Sequence, residues 1–129
     1  MPMLGSPTIL YVEDNADNRH LIQRILDASG FNVVFAENAL EALTRADNEP
    51  VDLILMDINL PDMDGYSLAT IMRRMPKMAQ VPILAMTANV MKGDRERSLE
   101  AGCDGYIQKP VDVDQLSTQI NEYIARARG

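Results

Sequence analysis

Apolar residues follow two different spacings along the chain. Short runs rich in valine, isoleucine and leucine are separated by longer stretches in which apolar residues recur at helical spacing. Runs without polar alternation are typical of strands covered on both faces, and the helical stretches are typical of crossovers between parallel strands. The pattern predicts a doubly wound α/β sheet with strands at residues 8–12, 32–35, 52–56, 81–85 and, from a short and weak run, 105–107.

Capping signals and apolar stripes predict the helices between these strands. Asn38 and Asp112 are each followed three residues later by a glutamate or glutamine, which resembles a capping box and opens the second and the last helix. Gly30 ends the first helix, and a fourth helix is predicted from about residue 90 to 101. The predicted buried stripes are Leu21, Ile22, Ile25 and Leu26 in the first helix and Leu116, Ile120 and Ile124 in the last.

These units occupy nearly all of the 129 residues, so one domain is predicted over 1–129, with its core at about 7–127. No internal repeat or Gly/Ser-rich linker interrupts them, and no output domain is expected. No apolar run has the length of a membrane span, and the first six residues lack the basic and apolar regions of a secretory signal. We therefore expect a cytoplasmic protein without a membrane partner.

The formal net charge of −7 at pH 7 argues against nucleic acid as a direct partner, because phosphate backbones are bound by an excess of lysine and arginine. It also makes the positions of the acidic residues informative. The single cysteine, Cys103, has no second thiol for a disulfide or a metal site, and we interpret it as a packing residue.

Polar residues stand where four of the predicted strands end. Strand one is followed by Glu13 and Asp14, strand three by Asp57, strand four by Thr87 and strand five by Lys109. In an open parallel sheet, ligands bind beyond the carboxyl ends of the strands. Each of these residues taken alone is compatible with an ordinary loop position, but their coincidence predicts a site.

Three carboxylates that converge in one place repel one another unless a cation lies between them. Oxygen ligands suit Mg²⁺, with Mn²⁺ as a possible substitute, and magnesium keeps several waters and takes one or two protein carboxylates. A phosphoryl group there would also meet the ammonium of Lys109 and the hydroxyl of Thr87, which are the parts that phosphoryl transfer requires. Asp57 is the candidate nucleophile because it stands centrally among the strand ends.

The order and spacing of these motifs resemble the receiver domain of two-component response regulators. The resemblance covers about the whole chain, and it implies the flavodoxin-like strand order 2-1-3-4-5 with five helices. The segments that carry it are Val12-Glu13-Asp14-Asn15, Asp52-Leu53-Ile54-Leu55-Met56-Asp57, Leu60-Pro61-Asp62-Met63-Asp64-Gly65, Met86-Thr87-Ala88-Asn89 and the run from Ala101 to Pro110. The length and the segment Met91-Lys92-Gly93-Asp94 are similar to single-domain regulators of the DivK type.

The resemblance implies a role for each residue of the site. Asp57 would be the phosphoacceptor, Asp14 a direct magnesium ligand, Glu13 a ligand through water, and the backbone carbonyl of Asn59 a further ligand. Lys109 and Thr87 would stabilise the phosphoryl group.

The resemblance also implies a switch and its partners. Thr87 would move toward the phosphoryl group while Tyr106 turns inward, and the Lys109-Pro110 bond would be cis. The phosphodonor would be a histidine kinase or a histidine phosphotransfer protein, and a downstream protein would bind the face formed by helix four, strand five and helix five. Such a domain assists its own phosphorylation and dephosphorylation and is a signalling module rather than an enzyme.

Several alternatives stay open at this point. One is a receiver domain excised from a larger hybrid kinase or regulator, and another is a receiver-like docking module that is never phosphorylated. A nucleotide- or flavin-binding enzyme is disfavoured because no glycine-rich phosphate motif is present. A metal-dependent phosphatase with an aspartyl nucleophile is disfavoured because Asn59, not an acid, stands two residues after Asp57.

Overall fold

The structure is a computed structural model, and it describes residues 6–87 and 94–128. Strands and helices alternate along them. The strands are β1 Thr8–Val12, β2 Asn32–Ala36, β3 Leu53–Asp57, β4 Ile83–Thr87 and β5 Gly105–Gln108. The helices are α1 Ala16–Ala28, α2 Ala39–Asn48, α3 Gly65–Arg73, α4 Asp94–Glu100 and α5 Val113–Arg128, with a short 3-10 turn at Pro76–Met78.

The five strands form one parallel sheet in the order β2-β1-β3-β4-β5, as predicted. Successive residues of a strand face opposite sides, so each strand contributes to two cores. Leu10 and Val12 of β1 pack with α2 and α3, whereas Ile9 and Tyr11 pack with α1 and α5. This two-sided burial explains why the strands are apolar without alternation.

Two predicted strands are shifted in the structure. The prediction at residues 81–85 was wrong by two positions, because β4 runs from Ile83 to Thr87. Val81 donates its amide hydrogen to the carbonyl of Met78 (3.2 Å) in the turn that follows the 3-10 turn, and Pro82 has no amide hydrogen to contribute to the sheet. The prediction at residues 52–56 was wrong by one position, since β3 runs from Leu53 to Asp57. The shifts make Asp57 and Thr87 the last residues of their strands.

The capping signals are confirmed, and one apolar stripe needs a correction. The Asn38 side chain accepts the amide hydrogen of Glu41 at 2.8 Å, and the Asp112 side chain accepts that of Gln115 at 3.3 Å. In α1 the side chains of Ile22 and Leu26 are buried, but Leu21 is 56% exposed. Leu21 precedes Ile22 by one residue, a rotation of about 100° around the helix axis, so it lies at the edge of the buried stripe.

The predicted start of the fourth helix and the segments Ala88-Asn89 and Met91-Lys92-Gly93 lie outside the described residues. Within the described ranges, no helix combines the length and the apolar composition needed to span a bilayer.

Candidate functional site

The sheet order brings the predicted residues to one edge. β1 lies beside β3, and β3 lies beside β4, so Glu13, Asp57 and Thr87 come from three neighbouring strand ends. Asp14 follows Glu13 at the start of the loop into α1, and Lys109 follows β5. The chain leaves β1 toward β2 on one side and reaches β3 on the other, which makes this edge the switch point of the sheet.

The ammonium of Lys109 links two buried carboxylates. Its Nζ lies 2.9 Å from Oε1 of Glu13 and 2.9 Å from Oδ2 of Asp57. Glu13 is fully buried and Asp57 is 6% exposed, so water screens these charges poorly. One cation therefore faces two buried acids, and the cluster keeps an excess of negative charge.

Burial and hydrogen bonding shift the ionisation of this cluster. Burial raises the pKa of Glu13, and its hydrogen bond with Asp57 adds to that effect while Lys109 opposes it. Burial disfavours the charged form of Lys109, but its hydrogen bonds to Glu13 and Asp57 outweigh this and raise its pKa. The pKa of Tyr11 is raised by burial and then by the charges of Glu13 and Asp57.

Tyr11 is a member of the site that the sequence pattern did not reveal. Its hydroxyl donates to Oε1 of Glu13 at 3.4 Å, while the rest of its side chain is buried between β1, α1 and α5. Because Tyr11 lies within an apolar run, the sequence indicates only a core residue. A signal was present nonetheless, because residues two apart on a strand share a face and Tyr11 precedes Glu13 by two.

The backbone around Asp57 is closely packed. Oδ1 of Asp57 accepts the amide hydrogen of Asn59 at 2.9 Å. The amide of Gly65 donates to the carbonyl of Ile58 at 2.8 Å, which brings the start of α3 against this turn. A Cβ at Gly65 would lie 2.8 Å from both the Asp57 carbonyl oxygen and the Cα of Ile58, so a side chain there would displace the backbone of the acceptor residue.

The acids can hold a hard divalent cation. Glu13, Asp14 and Asp57 each offer a carboxylate oxygen, and the offered atoms lie within 4.8 Å of one another. Asp14 is exposed whereas the other two are buried, so the cluster is open to water on one side. A site of oxygen donors that leaves room for waters fits Mg²⁺.

Thr87 and Tyr106 lie on adjacent strands but in different surroundings. Thr87 is 7% exposed and Tyr106 is 36% exposed, which places the ring of Tyr106 partly in solvent. In the sheet, Thr87 pairs with Gln108, and its carbonyl accepts the amide hydrogen of Lys109 at 2.8 Å. Thr87 is thus tied by its backbone to the residue whose side chain binds Asp57. The Lys109-Pro110 peptide bond is cis.

Cys103 is 4% exposed, in agreement with a packing role. Burial raises the pKa of its thiol to about 11. The reactive thiolate is therefore scarce near neutral pH.

Comparison with known proteins points in one direction. A family model described as the response regulator receiver domain matches residues 9–121. The polar-differentiation response regulator DivK of Brucella anthropi is 38% identical over 120 residues, which cover 93% of this chain and 98% of that protein. The Brucella ovis protein of the same name is 37% identical with the same coverage.

Solved structures with the same fold include receivers from different contexts. The receiver domain of a Pseudomonas aeruginosa sensor histidine kinase, with a magnesium ion coordinated in its active-site cleft, has a TM-score of 0.87 and 36% identity, and the match covers 94% of this chain and 99% of that one. A CheY-like receiver domain protein from Methanospirillum hungatei has a TM-score of 0.89 and 31% identity, with coverages of 96% and 98%.

Proposed function

Because the chain belongs to the response regulator receiver domain family, whose members are signalling domains of two-component systems, we propose that it accepts a phosphoryl group on Asp57. The observation that carries the proposal is the contact of Asp57 with Lys109 inside an acidic cluster that fits a divalent cation. The family binds Mg²⁺ at its acidic site. Asp57 combines burial, a cationic neighbour and a place at the end of β3, which together suit a nucleophile that must be held in line with a phosphorus atom.

We assign the other residues by the same argument. Asp14 would be the direct carboxylate ligand beside Asp57, Glu13 would act through water, and the backbone carbonyl of Asn59 would complete the protein ligands. A bound Mg²⁺ would neutralise charge on the phosphoryl oxygens. In the reaction, an oxygen of Asp57 forms a bond to phosphorus while the bond from phosphorus to the donor breaks.

Lys109 and Thr87 supply the chain's own stabilisation of the transferred group. The ammonium of Lys109 already lies at Oδ2 of Asp57, so it stands beside the site of new negative charge. Thr87 is the last residue of the neighbouring strand β4 and follows Met86, the residue that pairs with Asp57. Its hydroxyl would donate to a phosphoryl oxygen.

We further propose that phosphorylation changes the surface through Thr87 and Tyr106. Thr87 is buried, Tyr106 is partly exposed, and the two stand on adjacent strands, so an inward movement of Thr87 would leave room for the ring. The readout face would be α4, β5 and α5, where a downstream protein would bind. The phosphodonor would be a histidine kinase or a histidine phosphotransfer protein, as for receivers in general.

The proposal also includes the domain organisation and the kind of partner. We infer a single receiver domain that works by protein contacts and has no direct nucleic-acid partner. The match to DivK over 98% of its length favours a stand-alone regulator, whereas the match to the receiver of a sensor kinase keeps the hybrid-protein alternative in view.

The test is labelling by acetyl phosphate in the presence of Mg²⁺. Wild type should be labelled, and Asp57→Asn should remain at background because its amide is a poor nucleophile. Asp62→Asn, a matched change at an exposed carboxylate in the β3–α3 loop, should be labelled like wild type. Chelation of the metal should abolish labelling. Full labelling of Asp57→Asn would mean that another residue is the acceptor, whereas no labelling of wild type would favour the docking module.

A further inference from the structure

Arg19 binds the backbone of the two adjacent acidic residues Glu13 and Asp14. It stands in the first turns of α1, four residues after the capping residue Asn15. Its Nη1 donates to the carbonyl oxygen of Glu13 at 3.1 Å and to that of Asp14 at 3.0 Å. The side chain is only 15% exposed, the bond to Glu13 is partly buried, and the bond to Asp14 lies at the surface.

A second contact holds the guanidinium in place. Nη2 of Arg19 lies 3.3 Å from Oε1 of Glu37, the residue that follows β2. β2 and β1 are neighbours, and the amide of Glu13 donates to the carbonyl of Ala36 at 3.0 Å. Arg19 therefore connects α1, the loop after β1 and the loop after β2.

The geometry restrains the two peptide units that carry the candidate metal ligands. The register pairs of β1 with its two neighbours end at Val12, so Glu13 and Asp14 stand just beyond the paired part of the strand. A planar guanidinium that binds two successive carbonyls limits their relative rotation. The side chains of Glu13 and Asp14 leave the backbone beside those carbonyls, and their spacing depends on that rotation.

We propose that Arg19 is a positioning residue for the divalent-cation site, acting on Glu13 and Asp14 through their backbone, with Glu37 as its outer anchor. The inference rests on the proposed function only in requiring that the acidic cluster bind a divalent cation. Asp57 need not be phosphorylated for it to hold.

Charge and positioning make opposite predictions at this residue. Arg19 carries a positive charge close to the acidic cluster, so as a charge alone it disfavours Mg²⁺, and its removal should tighten binding. As a positioning residue it holds the ligands at the spacing the cation needs, and its removal should weaken binding. The sign of the change therefore separates the two roles.

The experiment is calorimetric titration of the unphosphorylated protein with Mg²⁺. Arg19→Gln should weaken Mg²⁺ binding by about tenfold, the lower end of the loss seen when groups that orient metal ligands are removed. Arg19→Lys should also weaken it, because a single ammonium keeps the charge but lacks the second nitrogen that binds Glu37 while Nη1 binds the two carbonyls. Arg24→Gln removes the same charge from an exposed position on the same helix and should bind like wild type.

Thermal unfolding without Mg²⁺ is measured on the same variants. A merely structural role would lower the unfolding temperature and leave the affinity of the folded protein unchanged, and that result would overturn the proposal. So would tighter binding by Arg19→Gln or wild-type binding by Arg19→Lys. If Arg19→Gln does not fold, Glu37→Gln takes its place, since the Glu37 side chain is 60% exposed. It should weaken Mg²⁺ binding, and the loss should persist at high salt, which screens the effect of an exposed charge. Unchanged binding, or a loss that disappears at high salt, would overturn the proposal.

Wild type separates the two possible failures. If wild type does not bind Mg²⁺, the proposed cation site itself is wrong. If wild type binds Mg²⁺ and the Arg19 variants bind it equally well, only the role of Arg19 is wrong.

Discussion

The two ends of the sheet use charged side chains in different ways. At the amino end of the strands, Arg73 donates to four backbone carbonyls at 2.7–3.2 Å, those of Met78, Ala79, Val81 and Gly102. Asp104 accepts the amide hydrogen of Ile83 at 2.8 Å and also binds Arg73 at 3.0 Å. These charged groups complete the hydrogen bonding of loop backbone.

At the carboxyl end, Arg19 and Asp62 also bind backbone groups, but the charged groups of the acidic cluster bind one another. Lys109 contacts Glu13 and Asp57, and exposed Asp14 stands beside them. A side chain that satisfies backbone groups cannot leave without orphaning them, whereas a cluster of like charges gains by taking up a cation. The same residue types therefore stabilise the fold at one end and leave binding capacity at the other.

Arg73→Ala should give the largest effect on stability. The change removes the bonds to four loop carbonyls, those of Met78, Ala79, Val81 and Gly102, together with the contact to Asp104. We therefore expect the free energy of unfolding to fall by about 3 kcal/mol. Chemical denaturation with circular dichroism measures it. Arg74→Ala, at the exposed neighbouring position, should stay within about 0.5 kcal/mol of wild type. Equal losses for both variants would mean that the Arg73 contacts are not stabilising.

Asp14→Ala should have the next largest effect, on metal binding at the other end. Asp14 is the proposed direct ligand, so the loss of its carboxylate should weaken Mg²⁺ binding by at least about tenfold, or about 1.4 kcal/mol. Glu13→Ala should weaken it less, because Glu13 is proposed to act through water. Titration of both variants with Mg²⁺ measures the difference, and equal losses would mean that the two roles are misassigned.

Asn38→Ala tests a polar residue at the carboxyl end that serves the fold. Its side chain accepts the amide hydrogen of Glu41 at 2.8 Å and caps α2, so its loss should cost about 1 kcal/mol of stability. Asn48→Ala changes the same residue type at the other end of α2 and leaves this cap intact, so its effect should be smaller. Denaturation curves compare the two, and a larger effect of Asn48→Ala would contradict the assignment.

The smallest expected effect depends on pH and concerns Asp62. Its Oδ1 and Oδ2 accept the amide hydrogens of Ala39 and Leu40 at 2.8 and 3.1 Å, and the bond from Ala39 is the main cause of its lowered pKa. A carboxyl whose pKa is lowered by folding contributes stability above its ordinary pKa, and that contribution disappears as the pH falls through the lowered value.

Wild type should therefore be more stable than Asp62→Asn at pH 7, and the difference should shrink as the pH falls into the acid range. Unfolding curves at a series of pH values measure it. A difference that is independent of pH would show that the charge of Asp62 does not stabilise α2.

Much of this architecture was predictable because it depends on local pattern. The strands are apolar since both faces are covered, and the caps at Asn38 and Asp112 follow from short-range hydrogen bonding. The errors have local causes too. The apolar character of Val81 predicts a strand residue, but its amide donates to Met78 in the turn before β4.

The candidate site was predictable in its members and less so in its geometry. Strand order places Glu13, Asp57 and Lys109 at one edge, and the residue types indicate a cation and a phosphoryl group. The exposure of Tyr106 and the hydroxyl contact of Tyr11 depend on how helices and strands pack around each ring, which composition does not reveal.

The sequence by itself determined the doubly wound sheet and the set of charged residues at the strand ends, because both depend on the order of apolar and charged residue types along the chain. Only the tertiary structure decided what Arg19 and Arg73 do. Both bind backbone carbonyls in distant or turning segments, at Glu13 and Asp14 for one and at Gly102 and Val81 for the other. Every residue carries a carbonyl, so no residue type marks such a partner, and folding alone selects which carbonyls an arginine reaches.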